Sequence, residues 1–244
     1  MNLLEHCIIP DWPAPARVKT LQTTRQGGVS IAPYDSLNLG DHVGDNPLAV
    51  GRNRILLNKL LPTEPVWLEQ IHGTLVADAE RASCQPQADA CIARHRAAVC
   101  AVMTADCLPV LLCDARGSVV GAAHAGWKGL AAGVIEATVL AMGVAPQSLM
   151  VWLGPAISQE NFEVGEEVRA AFVAIQPQAA SAFIAGQPGK WFADIYALAR
   201  LRLNALGITQ IYGGDRCTYR ERGQFFSYRR DGATGRMGTF IWLT

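Results

Sequence analysis

Residues 99–125 read VCAVMTADCLPVLLCDARGSVVGAAHA, and this stretch decides the fold class. The apolar runs 99–103 and 108–113 have the length and composition of buried strands. An Arg-Gly-Ser turn separates the second run from a third, 119–123, and this predicts a hairpin. A helical stripe of apolar residues then covers 127–142 and stops at a glycine.

The same patterns in the rest of the chain predict strands and helices that alternate irregularly. Helices are expected after Asn46-Pro47, over 163–175 and after the N-cap residue Asp194. Strands are expected over 18–24, 66–71, 149–153, 208–212, 225–232 and 236–242. This mixture indicates an α/β layered domain with mixed sheets, and the absence of repeats or linkers favours one domain over residues 1–244.

Composition argues against several classes of partner. The formal net charge is zero and charged residues make up 17% of the chain, without long acidic or basic runs. We therefore expect no nucleic-acid or membrane-surface partner. The N-terminus lacks the pattern of a signal peptide, and no apolar run is long enough to span a membrane. Seven cysteines without a Cys-x-x-Cys pair favour reduced thiols and a cytoplasmic location.

Three residues at the ends of strand-like runs are candidate metal ligands. Cys107 lies in Thr-Ala-Asp-Cys-Leu-Pro, His124 in His-Ala-Gly-Trp-Lys-Gly and His72 in Gln-Ile-His-Gly. One thiolate and two imidazoles leave a fourth position open, which is typical of a catalytic zinc. Two other interpretations stay open: a Cys107 nucleophile activated by a histidine without metal, and a buried thiol that only fills the core.

Several polar residues beside turns are candidates for substrate binding. Arg25 precedes a Gly-Gly pair, and Arg229 and Arg230 precede Asp-Gly. The planar guanidinium suits phosphate, provided that these side chains converge in space. The side chain of Asn38 is expected to face a ligand or to hydrogen-bond the backbone of a turn. Asp106 is expected to orient a metal ligand, to accept a proton from water or to cap a turn.

Six motifs in this order resemble the bacterial YfiH family, the laccase-domain group historically called polyphenol oxidase or laccase. The resemblance extends from about Pro10 to the C-terminus. The motifs are Thr24-Arg-Gln-Gly-Gly-Val-Ser30, Ser36-Leu-Asn-Leu-Gly40, Gln70-Ile-His-Gly73, Thr104-Ala-Asp-Cys-Leu-Pro-Val110, His124-Ala-Gly-Trp-Lys-Gly129 and Ser227-Tyr-Arg-Arg-Asp231.

The resemblance implies a single-domain α/β/β/α layered fold and a zinc site formed by His72, Cys107 and His124. It also implies phosphorolysis of adenosine, inosine and methylthioadenosine, and deamination of adenosine. On this hypothesis Arg25, with Arg229 or Arg230, binds phosphate. Asp106 shuttles the proton when water attacks C6 of adenine, as a carboxylate does in known base deaminases.

The historical oxidase label conflicts with the histidine content. Multicopper oxidases need a His₂Cys copper centre and further histidine-bound coppers, whereas this chain has five histidines and no His-x-His pair. A single copper in the same three-ligand site remains compatible with the sequence. The alternatives are therefore a copper-dependent polyphenol oxidase, a metal-free Cys-His hydrolase and a non-enzymatic metal-binding protein. The sequence does not set the oligomeric state, and a monomer is compatible with it.

Overall fold

The computed structural model describes residues 2–82, 84–96 and 98–244. Its strands are β1 (Cys7–Ile8), β2 (Val18–Thr23), β3 (Val76–Asp78), β4 (Ala90–Ala93), β5 (Val99–Thr104), β6 (Leu108–Asp114), β7 (Val120–Ala125), β8 (Leu149–Leu153), β9 (Glu163–Gly165), β10 (Phe183–Ala185), β11 (Lys190–Ala193), β12 (Gln210–Gly213) and β13 (Met237–Leu243). Its α-helices are α1 (Pro47–Asn58), α2 (Trp127–Ala132), α3 (Val134–Met142), α4 (Glu166–Ile175), α5 (Ile195–Ala205) and α6 (Tyr228–Asp231). Short 3₁₀ helices cover Leu3–His6, Pro146–Ser148, Gln159–Asn161 and Pro177–Ala182.

Two sheets form the centre of the molecule. The larger has the strand order β12-β8-β6-β7-β4-β3, and the smaller has the order β1-β2-β13-β5. The pairs β12–β8 and β3–β4 are parallel, whereas β4–β7, β6–β7 and β6–β8 are antiparallel. The mixed sheets and the β6–β7 hairpin predicted from the sequence are thereby confirmed. A third, three-stranded sheet has the order β10-β11-β9.

Side-chain alternation along the strands builds the layers. In β5, Cys100 and Val102 point between the two large sheets, while Val99 and Ala101 point outward. In β6, Leu111 and Cys113 also pack between the sheets, and alternate residues contact the helical layer on the other face. Because successive side chains of a strand point to opposite faces, these largely apolar strands are buried on both sides.

Helices cover the outer face of each sheet. Ile135 and Val139 of α3, together with Leu198 and Leu203 of α5, pack on the larger sheet. Leu57 of α1 packs on the smaller one. The resulting layer order is helix, sheet, sheet, helix, which confirms the α/β/β/α fold. Among the described residues, no helix is long and apolar enough to cross a membrane.

The helix expected over 163–175 begins only at Glu166, since residues 163–165 form strand β9, and three further predicted elements differ from the structure. Residues 66–71 form isolated bridges and no strand, because the Gln70 side chain takes the place of a neighbouring strand by bonding both the N–H and the C=O of Met103. The helix expected over 127–142 is two helices, since Gly133 adopts φ 101° and ends α2.

The third difference concerns residues 225–232, which were predicted to be strand-like. The side chain of Ser227 accepts a hydrogen bond from the N–H of Arg230 and starts the short helix α6. A capping serine followed by polar residues favours a helical turn over an extended strand at this position. The following segment does form the predicted strand, β13, in the centre of the smaller sheet.

Asp114 closes the β6–β7 hairpin and offers a test of the fold. Its buried carboxylate accepts hydrogen bonds from the N–H and hydroxyl of Ser118 and from the N–H of Val119. Burial alone would raise the pKa of Asp114, but these bonds outweigh it and lower the pKa below its ordinary value. Asp114→Ala should reduce the free energy of unfolding by about 2 kcal/mol, measured by urea denaturation at pH 7.

The same bonds set the sign of a pH dependence. An unfolded aspartate has a pKa of about 3.9, so a lowered folded pKa gives stability that is complete above about pH 4 and is lost as the pH falls through the folded value. Asp114→Asn should flatten this acid dependence, while the control Asp11→Asn, at an exposed position, should leave it unchanged. Equal acid sensitivity of the two variants would contradict the assignment.

Candidate metal centre

The three predicted metal ligands converge at one end of the sheet sandwich. Cys107 lies in the connection from β5 to β6, His124 lies in β7, and His72 lies in the segment before β3. Their ligand atoms all lie within 4.8 Å of one another, and the distance from His72 Nε2 to Cys107 Sγ is 3.8 Å. Ligand atoms around a tetrahedral zinc are about 3.5 Å apart, so the cluster fits such an ion.

Close backbone packing surrounds the cluster. A side chain on Gly126 would place its Cβ 2.7 Å from Cδ2 of His72 and 3.0 Å from Sγ of Cys107. The glycine after His124-Ala is therefore required for the two other ligands to approach β7. His72 and Asp106 both have positive φ, 60° and 92°. This region is costly for residues other than glycine and is maintained only where surrounding contacts hold it.

The contact that holds His72 and His124 together is the buried carboxylate of Asp89, which the sequence analysis did not single out. Its oxygens accept hydrogen bonds from the N–H groups of Ile71, His72 and Gly73, at 3.1, 2.9 and 2.6 Å. Its Oδ1 also lies 2.8 Å from Nδ1 of His124. A proton on Nδ1 leaves Nε2 of His124 free to bind a metal, which is the usual second contact of a metal-ligating histidine.

Charges within the cluster favour the thiolate. Burial opposes ionisation of Cys107, but the imidazoles of His124 and His72 outweigh burial and lower the pKa of the thiol to about 6. Burial also opposes protonation of His124, yet the Cys107 thiolate and Asp89 raise its pKa to about 9. Metals bind the thiolate and the neutral imidazole, so binding at neutral pH would release the proton held by this pair.

A cavity of about 390 Å³ opens over the cluster. Its size falls in the range of pockets for small organic ligands. The cavity has an apolar and aromatic part and a polar part, with no Asp or Glu among its lining residues. It is lined by His42, Gln70, His72, Met103, Thr104, Ala105, Cys107, His124, Tyr228 and Arg236.

Sequence comparison identifies the group of proteins to which the chain is related. Residues 19–244 match the family described as multi-copper polyphenol oxidoreductase laccase. The chain belongs to this family. An Escherichia coli protein named purine nucleoside phosphorylase YfiH is 54% identical over 243 residues, which cover 97% of this chain and 98% of the relative. A Pseudomonas aeruginosa protein, also named purine nucleoside phosphorylase, is 54% identical over 237 residues, with the same coverage of 97% and 98%.

Solved structures of relatives have the same fold. A Neisseria meningitidis protein superimposes with a TM-score of 0.95 at 56% identity, covering 98% of this chain and 99% of the other. YlmD from Geobacillus stearothermophilus superimposes with a TM-score of 0.88 at 32% identity, covering 95% and 93%. The YfiH resemblance inferred from the motifs is thus confirmed.

Asp106, the predicted proton shuttle, has both carboxylate oxygens bonded within the protein. Oδ1 accepts from the hydroxyl of Thr218 at 2.6 Å, and Oδ2 accepts from the N–H of Arg229 at 2.7 Å. The side chain is buried and does not line the cavity. These bonds tie the connection that carries Cys107 to the C-terminal part of the chain. The shuttle role stays a prediction.

The three predicted phosphate-binding arginines lie outside the cavity lining. Arg25 bonds the carbonyls of Asp35 and Arg222 and pairs with the carboxylate of Asp35. Arg229 donates to the carbonyls of Asn161 and Glu163, and Arg230 donates to those of Thr218, Tyr219 and Phe225. These side chains brace loops in this structure, and their role towards phosphate stays a prediction.

Asn38 does not line the cavity but contacts a residue that does. It is buried, and its Oδ1 accepts hydrogen bonds from the N–H groups of Gly40 and Arg236, both at 2.9 Å. Arg236, His42 and Tyr228 are the charged or titratable lining residues that the sequence analysis missed. His42 lies in the long connection between β2 and α1, which contains no helix or strand.

Asp89 provides a test of the metal centre. Asp89→Asn places an amide NH₂ against at least one backbone N–H and weakens the hold on His124, so the affinity for zinc should fall about 10–100-fold. The measurement is competition with a chromophoric chelator, with Asp11→Asn as the control. An unchanged zinc affinity in a folded variant would show that Asp89 has no part in orienting the ligands.

Proposed function

We propose that this protein catalyses phosphorolysis of purine nucleosides, with adenosine, inosine and methylthioadenosine as substrates. The observation that carries the proposal is the His-Cys-His cluster at the floor of a cavity of small-molecule size. The names of the bacterial relatives support the same reaction, because two of them that are 54% identical over nearly their full length are called purine nucleoside phosphorylases.

The reaction exchanges one bond at the ribose. An oxygen of hydrogen phosphate attacks C1′ as the bond from C1′ to N9 of the purine breaks. The bonding electrons leave with the base, which takes up the proton that the phosphate gives away. The products are the free purine and ribose 1-phosphate. Catalysis therefore needs a site for the anion beside the ribose and an environment that favours departure of the base.

The donor set supports zinc as the bound metal. His72, Cys107 and His124 would supply three ligands, as in catalytic zinc sites with one open position. Zinc held there would act as a Lewis acid and lower the pKa of a bound water to about 7. The residues around it orient this set: Asp89 bonds His124, and Gly126 allows the ligands to approach.

Two cavity residues are placed to receive the nucleoside. The side chain of Gln70 is fixed by its two bonds to Met103, so it forms a rigid part of the wall. Tyr228 is 62% exposed although it lines the cavity, so its ring lies at the opening. An exposed aromatic face at a cavity mouth suits stacking against a planar base.

We also propose deamination of adenosine as a second reaction of this site. Water replaces the amino group at C6, giving inosine and ammonia. The three-ligand cluster with an open position supports this reaction, because base deaminases use such a site together with a carboxylate that moves protons. The carboxylate proposed here is Asp106, which would have to release Thr218 or Arg229 to take part.

Removal of the thiolate tests the phosphorolysis proposal. Cys107→Ala should lose zinc and release hypoxanthine from inosine and phosphate at least about 100-fold more slowly, because the remaining two ligands bind zinc weakly. The readouts are elemental analysis and hypoxanthine formation in the same sample. Cys84→Ala, at an exposed thiol, is the matched control and should behave like the unmodified protein.

The same assay separates a metal centre from a metal-free nucleophile. If Cys107→Ala retains full phosphorolysis activity, zinc has no part in the reaction. Activity that survives complete removal of metal but disappears on alkylation of Cys107 would instead support a thiol nucleophile paired with His124. Loss of both zinc and turnover, with an unchanged melting temperature of the metal-free protein, supports the proposal.

Metal replacement tests the oxidase alternative. Among the residues that the structure describes, one group of His, Cys, Asp or Glu side chains could hold a metal ion. It consists of His72, Cys107 and His124. Because multicopper oxidases need several copper sites, zinc-loaded, copper-free protein should turn over inosine and consume no oxygen with a phenol. An oxygen electrode and a nucleoside assay on one preparation give the result. Oxygen uptake without copper would contradict the proposal.

A further inference from the structure

Arg236 is the charged residue of the cavity wall that has no carboxylate partner. None of the ion pairs among the described residues includes it, whereas Arg25, Arg54 and Arg230 all have one. The Cys107 thiolate and, less strongly, Asp106 act on Arg236 through charge interactions without a direct bond. An arginine that is half-buried without a carboxylate partner in a cavity free of Asp and Glu provides a positive charge for an anion.

The hydrogen bonds of the guanidinium leave one edge free. Nη1 donates to the carbonyls of Thr234 and Gly235, both at 3.0 Å. In the described part of the chain, Nε and Nη2 have no acceptor. These two nitrogens form the edge of the guanidinium that grips two oxygens of a carboxylate or phosphate at once. The fixed Nη1 thus orients the free edge.

The surrounding residues hold Arg236 in place. Asn38 accepts a hydrogen bond from its backbone N–H, and a Cβ on Gly40 would lie 2.8 Å from Cγ of Arg236. The guanidinium also lies 5.9 Å from the centre of the Tyr228 ring. An anion-binding residue that is already ordered loses little side-chain entropy on binding.

A second polar group lies beside Arg236. Strands β5 and β13 pair so that Thr104 is opposite Met237, the neighbour of Arg236. The Thr104 side chain is buried and lines the cavity, and its hydroxyl lacks a hydrogen-bond partner among the described residues. Since buried hydroxyls are normally bonded, this one is available to a ligand.

We propose that Arg236, with Thr104, binds the phosphate co-substrate in this cavity, through the free Nε and Nη2 edge. The inference rests on the proposed phosphorolysis and names the residue that holds its anion. The shared chemistry is a tetrahedral oxyanion, either free as inorganic phosphate or esterified as in ribose 1-phosphate. Arg236 lines the same cavity as the three candidate metal ligands, so an anion bound there would stay within the cavity proposed to receive the ribose.

The experiment compares Arg236→Met with Arg236→Lys and with a control, Arg52→Met, which removes an exposed arginine. Equilibrium dialysis with labelled inorganic phosphate and with labelled ribose 1-phosphate measures binding without turnover. Steady-state assays give KM for phosphate and for inosine separately, and elemental analysis gives the zinc content. Arg236→Lys keeps the positive charge but loses the planar guanidinium that can bind two oxygens at once. It also serves as the second variant if Arg236→Met fails to fold.

The expected result is a dissociation constant and a KM for phosphate that rise about 10–100-fold in Arg236→Met and less in Arg236→Lys, with the KM for inosine and the zinc content unchanged. The control should match the unmodified protein. Phosphate binding that is unchanged in a folded, zinc-loaded Arg236 variant would overturn the inference, as would an unmodified protein that binds neither anion.

The readouts distinguish this inference from the proposed function. If phosphate binds through Arg236 but no purine nucleoside is cleaved, the assignment of the anion site is supported and the proposed phosphorolysis is contradicted. If nucleosides are cleaved and every Arg236 variant has an unchanged KM for phosphate, the proposed phosphorolysis is supported and the assignment of Arg236 is contradicted. Binding of ribose 1-phosphate alone would contradict the assignment, because the attacking co-substrate is the free anion.

Discussion

The carboxylate of Asp89 is buried among apolar strands, and its one ion pair within the described residues is with His124. A buried charge of this kind is tolerated only when hydrogen bonds replace its lost water. Burial alone would raise its pKa, but His124 and the N–H of Gly73 lower it, so the group is ionised at neutral pH. The same bonds hold His72 at positive φ and fix the ring of His124, so two candidate metal ligands depend on one carboxylate.

The position of the third candidate ligand, Cys107, depends on how the chain passes between the sheets. Cys107 is the last residue of a three-residue crossing, Ala105 to Cys107, from β5 in the smaller sheet to β6 in the larger. So short a crossing requires a sharp change of direction, and Asp106 provides it at φ 92°. Its carboxylate bonds to Thr218 and Arg229 anchor the crossing from the other side. The positions of the thiolate and of the C-terminal segment are therefore linked.

Local signals in the sequence identify the strands and the ligands, but not the contacts between distant segments. The apolar runs of β5 and β6 predict buried strands, and the flanking small residues single out His124. The role of Asp89 was not predicted, because this residue interrupts an apolar segment and its hydrogen-bond partners lie far away in the sequence. Arg236 was missed for a similar reason. Asn38, which accepts a hydrogen bond from the backbone N–H of Arg236, lies far away in the sequence, and so do the carbonyls of Asn161 and Glu163 that bond the Arg229 side chain.

The lining of the cavity ranks the two reactions proposed for it. A base deaminase needs a carboxylate beside the reacting carbon to move protons, whereas a phosphorylase needs a cation that holds phosphate. The lining contains Arg236 and no Asp or Glu, and the nearby carboxylate of Asp106 has both oxygens bonded elsewhere. Freeing that carboxylate would break bonds that anchor the Cys107 crossing. Of the two proposed reactions, the arrangement therefore favours phosphorolysis, and deamination would require a rearrangement around Asp106.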